Sequence, residues 1–172
     1  CNKAQPDVVV IPGDVVYQRG FYSEYLTNFF PVFNHDPVDK NDTSGVPLMR
    51  STPFATVLGN HDIALSGRGT DLDRFPETLA FFYFWQSPLN GPDTAGGALP
   101  DISLVKNGPA LKGDPQKEKQ FMQSAGDSFP TMANYSFDCG NSHWTVIDGN
   151  FHSDWTDEKL RSWLEADLKA VK

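Results

Sequence analysis

Two unbroken apolar runs stand out in the first third of the chain. The first is VVVI at residues 8–11, and the second is FATVL at 54–58. Continuous β-branched residues, rather than alternating ones, are typical of a strand that is covered on both faces, as in a parallel sheet. The pattern therefore predicts an α/β fold with buried strands at 7–11 and 54–58.

Later segments change from continuous to alternating or helical patterns. Turn residues at 139–142 (CGNS) separate two apolar-polar segments, which predicts a β-hairpin. Apolar spacing predicts a helix at 21–30, and the polar segment from 115 predicts a short solvated helix. The predicted hairpin strands span 133–138 and 143–148, and the predicted helices span 21–30 and 115–126.

The segment from Trp155 to Lys172 has the period of an amphipathic helix. Thr156 is the expected N-cap, with Asp157 and Glu158 in the first turn near the positive end of the helix dipole. One face of this helix is predicted to be apolar, and it consists of Leu160, Trp163, Leu164, Leu168 and Val171.

Two stretches rich in Pro, Gly and Asp interrupt these elements. They are predicted to be loop insertions, at about 34–47 and 86–128, in a single catalytic domain. The first residues resemble the end of a helix, and an α/β unit normally continues into a further strand after its last helix. We therefore expect residues 1–172 to be an internal piece of a larger domain.

Composition narrows the possible partners. The chain has 172 residues, 39% of them hydrophobic, and a formal net charge of −8. An acidic surface repels phosphate backbones, so nucleic acid is not a favoured partner. The longest apolar runs are far shorter than the roughly 20 residues of a membrane span. The two cysteines, Cys1 and Cys139, lack the spacing of a zinc site and are interpreted as packing residues.

Both predicted buried strands end in the same kind of sequence. Gly13-Asp14 follows the first strand, and Gly59-Asn60-His61-Asp62 follows the second. Asp and Asn oxygens suit hard cations, and histidine can bind a metal or transfer a proton. Either motif alone could be a turn or a helix cap. Because the carboxyl ends of parallel strands meet at one edge, the pair favours a metal site there.

The motifs GDVVY and GNHD together resemble those of the calcineurin-like metallophosphoesterase superfamily. The spacing of Tyr17 is similar to that of its purple acid phosphatase branch. The later segments NYSFDCGNSHWTVIDGN and DEKLRSWLEADL also resemble a strand, strand and helix of that family. The resemblance implies an α/β/β/α sandwich, in which two packed sheets carry helices outside.

This resemblance implies a role for each motif residue. Asp14 matches a carboxylate that bridges two metal ions, Asn60 a ligand of the second metal, and Tyr17 a phenolate ligand of iron(III). His61 matches a catalytic histidine that contacts the substrate phosphate and protonates the leaving group. Asp62 is expected to orient His61.

The other histidines do not match the family's ligand positions. His35 lies in a polar loop and is expected to be solvated, whereas His143 begins a strand and is interpreted as structural. His152 follows a strand end, so it is a candidate for the substrate pocket. Tyr17 could also simply pack as an aromatic residue, which leaves its role as a ligand open.

The implied activity is hydrolysis of phosphate esters, most simply monoesters, by a metal-bound hydroxide at a two-metal site holding Fe, Mn or Zn. The alternatives are a phosphodiesterase or nuclease on the same fold, or an inactive piece with a binding role. The family's Asp-x-His and Gly-His-x-His motifs do not occur in the chain, so residues 1–172 alone are expected to be inactive. Since secreted relatives are common in this branch, a secreted or periplasmic location is expected.

Overall fold

The chain folds as a mixed α/β structure, which confirms the predicted class. The structure is a computed structural model that describes residues 6–63, 71–92, 111–129, 131–150, 153 and 155–171. No helix within these ranges is long and apolar enough to cross a membrane.

The two predicted apolar strands pair with each other in parallel. β1 (Val9–Ile11) and β2 (Phe54–Thr56) align Val10 with Ala55. The pairing continues beyond the strands, because the Val57 N–H donates to the Ile11 carbonyl at 2.9 Å. Both strands are shorter than predicted, and their carboxyl ends lie at one edge.

A hairpin forms the second sheet. β3 (Tyr135–Cys139) and β4 (Ser142–Val146) pair antiparallel, with Cys139 opposite Ser142. The turn is only Gly140-Asn141, and Gly140 has a φ of +61°, which glycine adopts without strain. The hairpin is confirmed, with strands that run closer to the turn than predicted.

The helical segment predicted at 21–30 is confirmed over a slightly longer range. It comprises α1 (Tyr22–Glu24), a π-helical turn (Tyr25–Phe29) and α2 (Phe30–Phe33). Pro31 lies in the first turn of α2. It has no N–H to donate to the preceding turn, which accounts for a change of helix type at this place.

An aromatic core packs this helical segment against β2 and α3 (Phe81–Phe84). Tyr25 is fully buried, and its hydroxyl accepts a 3.2 Å hydrogen bond from Trp85 Nε1. Phe29 meets the Trp85 ring edge-on at 5.4 Å, a favourable aromatic geometry. The aromatic run at 81–85 is thus a core element.

The predicted helix near 115 is also present. α4 (Pro115–Ala125) begins after Asp114, whose side chain accepts from the Gln116 N–H at 2.8 Å. It is mostly exposed, but it buries Phe121 and Ala125. Single 3₁₀ turns occupy Leu48–Arg50, Gly126–Ser128 and Thr131–Ala133.

The loop at 34–47 is irregular as predicted, but His35 is not simply solvated. Its Nε2 lies 2.7 Å from Asp42 Oδ2 and 3.1 Å from Ser44 Oγ. Hydrogen bonds to Asp42 from His35, from the Ser44 hydroxyl and from the N–H groups of Ser44 and Val38 hold the pKa of Asp42 well below its usual range. A local polar network therefore closes this loop.

The N-cap of the last helix is not the residue that was predicted. α5 (Glu158–Ala170) begins after Asp157, whose carboxylate accepts from the N–H groups of Lys159 and Leu160 at 2.9 and 3.2 Å. Thr156 lies one residue too early. The predicted apolar face is only partly covered, since Leu160 is buried while Leu168 is 55% exposed.

A polar cluster joins α5 to the hairpin. Asp167 accepts hydrogen bonds from Ser136 Oγ at 2.5 Å, Thr145 Oγ1 at 2.8 Å and His143 Nε2 at 3.0 Å. The other ring nitrogen of His143 lies 2.7 Å from Asp138. The interpretation of His143 as structural fits this placement between two carboxylates.

The same cluster predicts a pH-dependent stability. The hydrogen bonds of Asp167 and Asp138 raise the pKa of His143 above its usual 6.5. The stabilisation is therefore complete below about pH 6.5, where His143 is charged in both folded and unfolded chains, and is lost as pH rises through the higher folded-state pKa. Melting temperatures measured from about pH 6 to pH 9 should fall more for the wild type than for His143→Gln. Parallel curves would contradict this.

Candidate metal centre

The carboxyl ends of β1 and β2 open into one cleft. This cleft has a volume of about 480 Å³ and is open to solvent. Asp14 and Tyr17 reach it from the segment after β1, and Asn60 reaches it from the segment after β2. The fold thus brings together the three residues that the sequence proposed as metal ligands.

Asp14 uses both carboxylate oxygens within this site. Oδ1 accepts from the His61 N–H at 3.0 Å, and Oδ2 accepts from the Tyr17 hydroxyl at 3.0 Å. The bond to Asp14 is the main cause that raises the pKa of Tyr17 above its usual 10. Tyr17 therefore donates to Asp14 as a neutral phenol, and it would have to lose this proton to serve as a phenolate ligand.

Glycines allow the segment after β1 and the segment after β2 to approach each other closely. A Cβ atom on Gly59 would overlap the backbone nitrogen and carboxylate of Asp14, and Gly13 lies directly opposite with a φ of +107°. Asp14 itself has a φ of +51°, which is uncommon for a non-glycine residue. The backbone at this edge is therefore shaped to place the Asp14 carboxylate against the second turn.

We expect Gly59→Ala to force the two turns apart. Since the added methyl group overlaps Asp14, the variant should lose metal affinity by more than about tenfold. Gly149→Ala is the matched control, because Gly149 lines the same cleft but a Cβ there meets no atom within 4 Å. Equal metal affinities of the two variants, measured by calorimetric titration, would contradict the expectation.

His61 is not among the residues that line the cleft, and its ring contacts Gln18 and Tyr17 instead. Its Nδ1 lies 2.9 Å from the Gln18 carbonyl oxygen, and its ring centroid is 4.5 Å from that of Tyr17. Because a carbonyl only accepts, Nδ1 carries the proton of this bond. Nε2 is thus the nitrogen that can take or give a proton.

Asp62 has a different position from the one that the sequence suggested. The carbonyl of Gln18, rather than Asp62, meets the ring nitrogen of His61. Asp62 is fully buried and accepts from the N–H groups of Val15 and Gly59 at 3.1 and 2.9 Å. Asp62 thus connects the segment that carries Asp14 to the segment that carries Asn60. Burial raises the pKa of Asp62 to about 7.

One residue of the cleft was missed by the sequence analysis. Asn150, which follows β4, lines the cleft and donates from Nδ2 to the Leu58 carbonyl at 3.1 Å. The available signal was the segment Asp148-Gly149-Asn150, since it repeats the pattern of a strand followed by glycine and an oxygen-bearing side chain. His152, the predicted pocket residue, lies outside the described residues.

Comparison with protein families agrees with this geometry. A family model described as calcineurin-like phosphoesterase matches residues 1–170. The chain belongs to the calcineurin-like phosphoesterase family. Searches of curated proteins and of solved structures gave no match.

Membership of the calcineurin-like phosphoesterase family indicates metal-dependent hydrolysis of phosphoester bonds, and members usually bind divalent metals. The cleft fits part of such a site, because a carboxylate, an amide and a phenol present oxygen donors suited to hard cations. Within the described ranges, no group of three or more His, Cys, Asp or Glu residues is arranged so that it could hold a metal ion. Asp14, Tyr17 and Asn60 are therefore candidate oxygen donors in the cleft and do not amount to such a group by themselves.

Proposed function

We propose that this calcineurin-like phosphoesterase hydrolyses phosphate monoesters at a two-metal centre to which Asp14, Asn60 and Tyr17 contribute. The observation that carries the proposal is the convergence of Asp14, Tyr17 and Asn60 in the cleft where β1 and β2 end. His61 adjoins them through its N–H bond to Asp14 and its ring contact with Tyr17. The donors come from two separate strands, and buried Asp62 holds their turns in register.

Each residue has a distinct task in this proposal. Asp14 presents two oxygens, so it can serve two metal ions, and Asn60 adds a neutral oxygen from the second turn. Metal ions bound there would stabilise the charge on the phosphoryl oxygens. His61, fixed through Nδ1 to Gln18, keeps Nε2 for proton transfer to the leaving oxygen.

Tyr17 supports a further assignment to the purple acid phosphatase-like branch. Its hydroxyl already donates to Asp14 Oδ2, and Tyr17 lines the cleft and is 55% exposed. A phenolate is a hard anionic donor that favours trivalent iron. We expect the iron-loaded full-length protein to be coloured and Tyr17→Phe to bleach it.

The absorption spectrum tests this assignment. Tyr22→Phe is a suitable control, since Tyr22 is also exposed but stacks on Phe84 instead of contacting Asp14. A colourless wild type that carries a full complement of bound manganese or zinc, and whose activity survives Tyr17→Phe, would exclude Tyr17 as an iron ligand.

The choice of monoesters over nucleic-acid substrates rests on charge. A net charge of −8 disfavours polyanionic nucleic acids. The test is the activity of the full-length protein, with Mn²⁺, Zn²⁺ or iron, toward p-nitrophenyl phosphate and bis-p-nitrophenyl phosphate. Faster turnover of the monoester, at roughly 1 per second or more, is the expected result.

The alternatives give different results in the same assay. Preference for the diester would identify a phosphodiesterase, and would contradict the monoester assignment. Absence of turnover with every metal, in a folded protein, would contradict the enzymatic function itself and leave a binding role.

A further inference from the structure

We infer that Asn150 is a positioning residue for the metal centre. It acts through the Leu58 carbonyl on the turn that carries Asn60, and this inference rests on the proposed function of the cleft. Asn150 belongs to the segment after β4, whereas Leu58 belongs to the segment after β2, so the contact joins the two sheets at the site.

The hydrogen bonds of Asn150 fix the orientation of its amide. Nδ2 lies 3.1 Å from the Leu58 carbonyl oxygen and 2.6 Å from Asp148 Oδ1. Both neighbours only accept hydrogen bonds when Asp148 is ionised, so the NH₂ group and not the oxygen must face them. Both amide protons are then used in holding these two partners.

A buried scaffold supports Asn150 in turn. Asp148 is only 3% exposed, and its Oδ1 also accepts from the Asn150 backbone N–H at 3.0 Å. Its own N–H donates to buried Asn134 Oδ1 at 2.8 Å, and its carbonyl accepts from Trp155 Nε1 at 3.1 Å. Asn150 is therefore held by a buried, hydrogen-bonded residue, Asp148, in the segment after β4.

Leu58 lies two residues before Asn60, so its hydrogen bond to Asn150 affects where Asn60 is placed. Leu58 directly precedes Gly59 and Asn60, so its carbonyl orientation sets the direction of the peptide that leads to the proposed ligand. Asp62 holds the following Gly59 N–H from the buried side. Asn150 is the second anchor of this turn, on the side of the cleft, and its loss leaves Asn60 free to shift.

Two variants separate positioning from direct ligation. Asn150→Ala removes the anchor, and in the full-length protein it should weaken Mn²⁺ binding by about tenfold or more, the usual range for partners that orient a ligand. Asn150→Asp keeps a side-chain oxygen at a position that lines the cleft but replaces the donor with a carboxylate against Leu58 O and Asp148, so it should bind Mn²⁺ no better than Asn150→Ala. Asn141→Ala, in the exposed hairpin turn, is the matched control and should bind like the wild type.

Mn²⁺ affinity is measured by isothermal titration calorimetry, and the melting temperature of each metal-free variant is recorded alongside. Wild-type affinity in Asn150→Ala would overturn the inference while leaving the proposed function intact. Wild-type or tighter affinity in Asn150→Asp would overturn it as well, because it would indicate a direct ligand. A wild-type protein that binds no Mn²⁺, Zn²⁺ or iron would instead refute the proposed function, and the inference with it.

Discussion

Asp14→Asn should abolish phosphatase activity by removing metal from the site. The substitution keeps the size of the side chain and an oxygen for the His61 N–H bond, but it removes the negative charge that two cations would share. Loss of a partner that merely orients a ligand costs 10–100-fold in affinity, so loss of the ligand charge should cost more than about a hundredfold. Metal content by mass spectrometry and turnover of p-nitrophenyl phosphate measure the two effects.

The matched control for this change is Asp73→Asn. Asp73 is an exposed aspartate that pairs with Lys117 at 2.7 Å and does not line the cleft. It should retain full metal content and activity. Unchanged metal content in Asp14→Asn would show that Asp14 is not a ligand.

His61→Ala should give the second large effect, with the opposite signature. The His61 ring contacts the Gln18 carbonyl and the Tyr17 ring. Its removal therefore takes away the proposed proton donor but leaves the proposed metal ligands Asp14 and Asn60 in place. Turnover should fall by roughly 10²–10⁴-fold, with metal content retained. Stopped assays at saturating substrate and metal analysis of the same sample separate these quantities.

His35→Ala controls for the loss of a histidine, since His35 pairs with Asp42 in the loop at 34–47. It should leave turnover unchanged. If His61→Ala lost metal as completely as Asp14→Asn, His61 would be a ligand and its assignment to proton transfer would be wrong.

Local patterns were sufficient to predict most of the fold. The β-branched run at 8–11 and the largely apolar run at 54–58 predicted strands, and a polar turn predicted the hairpin, because both signals lie within a few residues. The N-cap of α5 was predicted one residue early. Thr156 and Asp157 are both good capping residues, and only the backbone geometry decides which carboxylate or hydroxyl meets the free N–H groups.

The sequence predicted only those residues of the site that belong to short local motifs. Gly-Asp and Gly-Asn after buried strands indicated Asp14 and Asn60, and the structure places both in one cleft. The partners of Asp62 and Asn150 depend on contacts between segments that lie far apart in sequence. The Asp62 pairing follows from how β1 and β2 align, and the Asn150 pairing from how the two sheets pack, and no local pattern encodes either.

Anomalous X-ray scattering from crystals of the manganese-loaded full-length protein tests the central claim most directly. The account predicts a metal peak in the cleft, within about 2.0–2.6 Å of an Asp14 carboxylate oxygen and of Asn60 Oδ1. A fully occupied manganese peak elsewhere would contradict the account if Asp14 kept its hydrogen bonds from Tyr17 and His61 and contacted no metal.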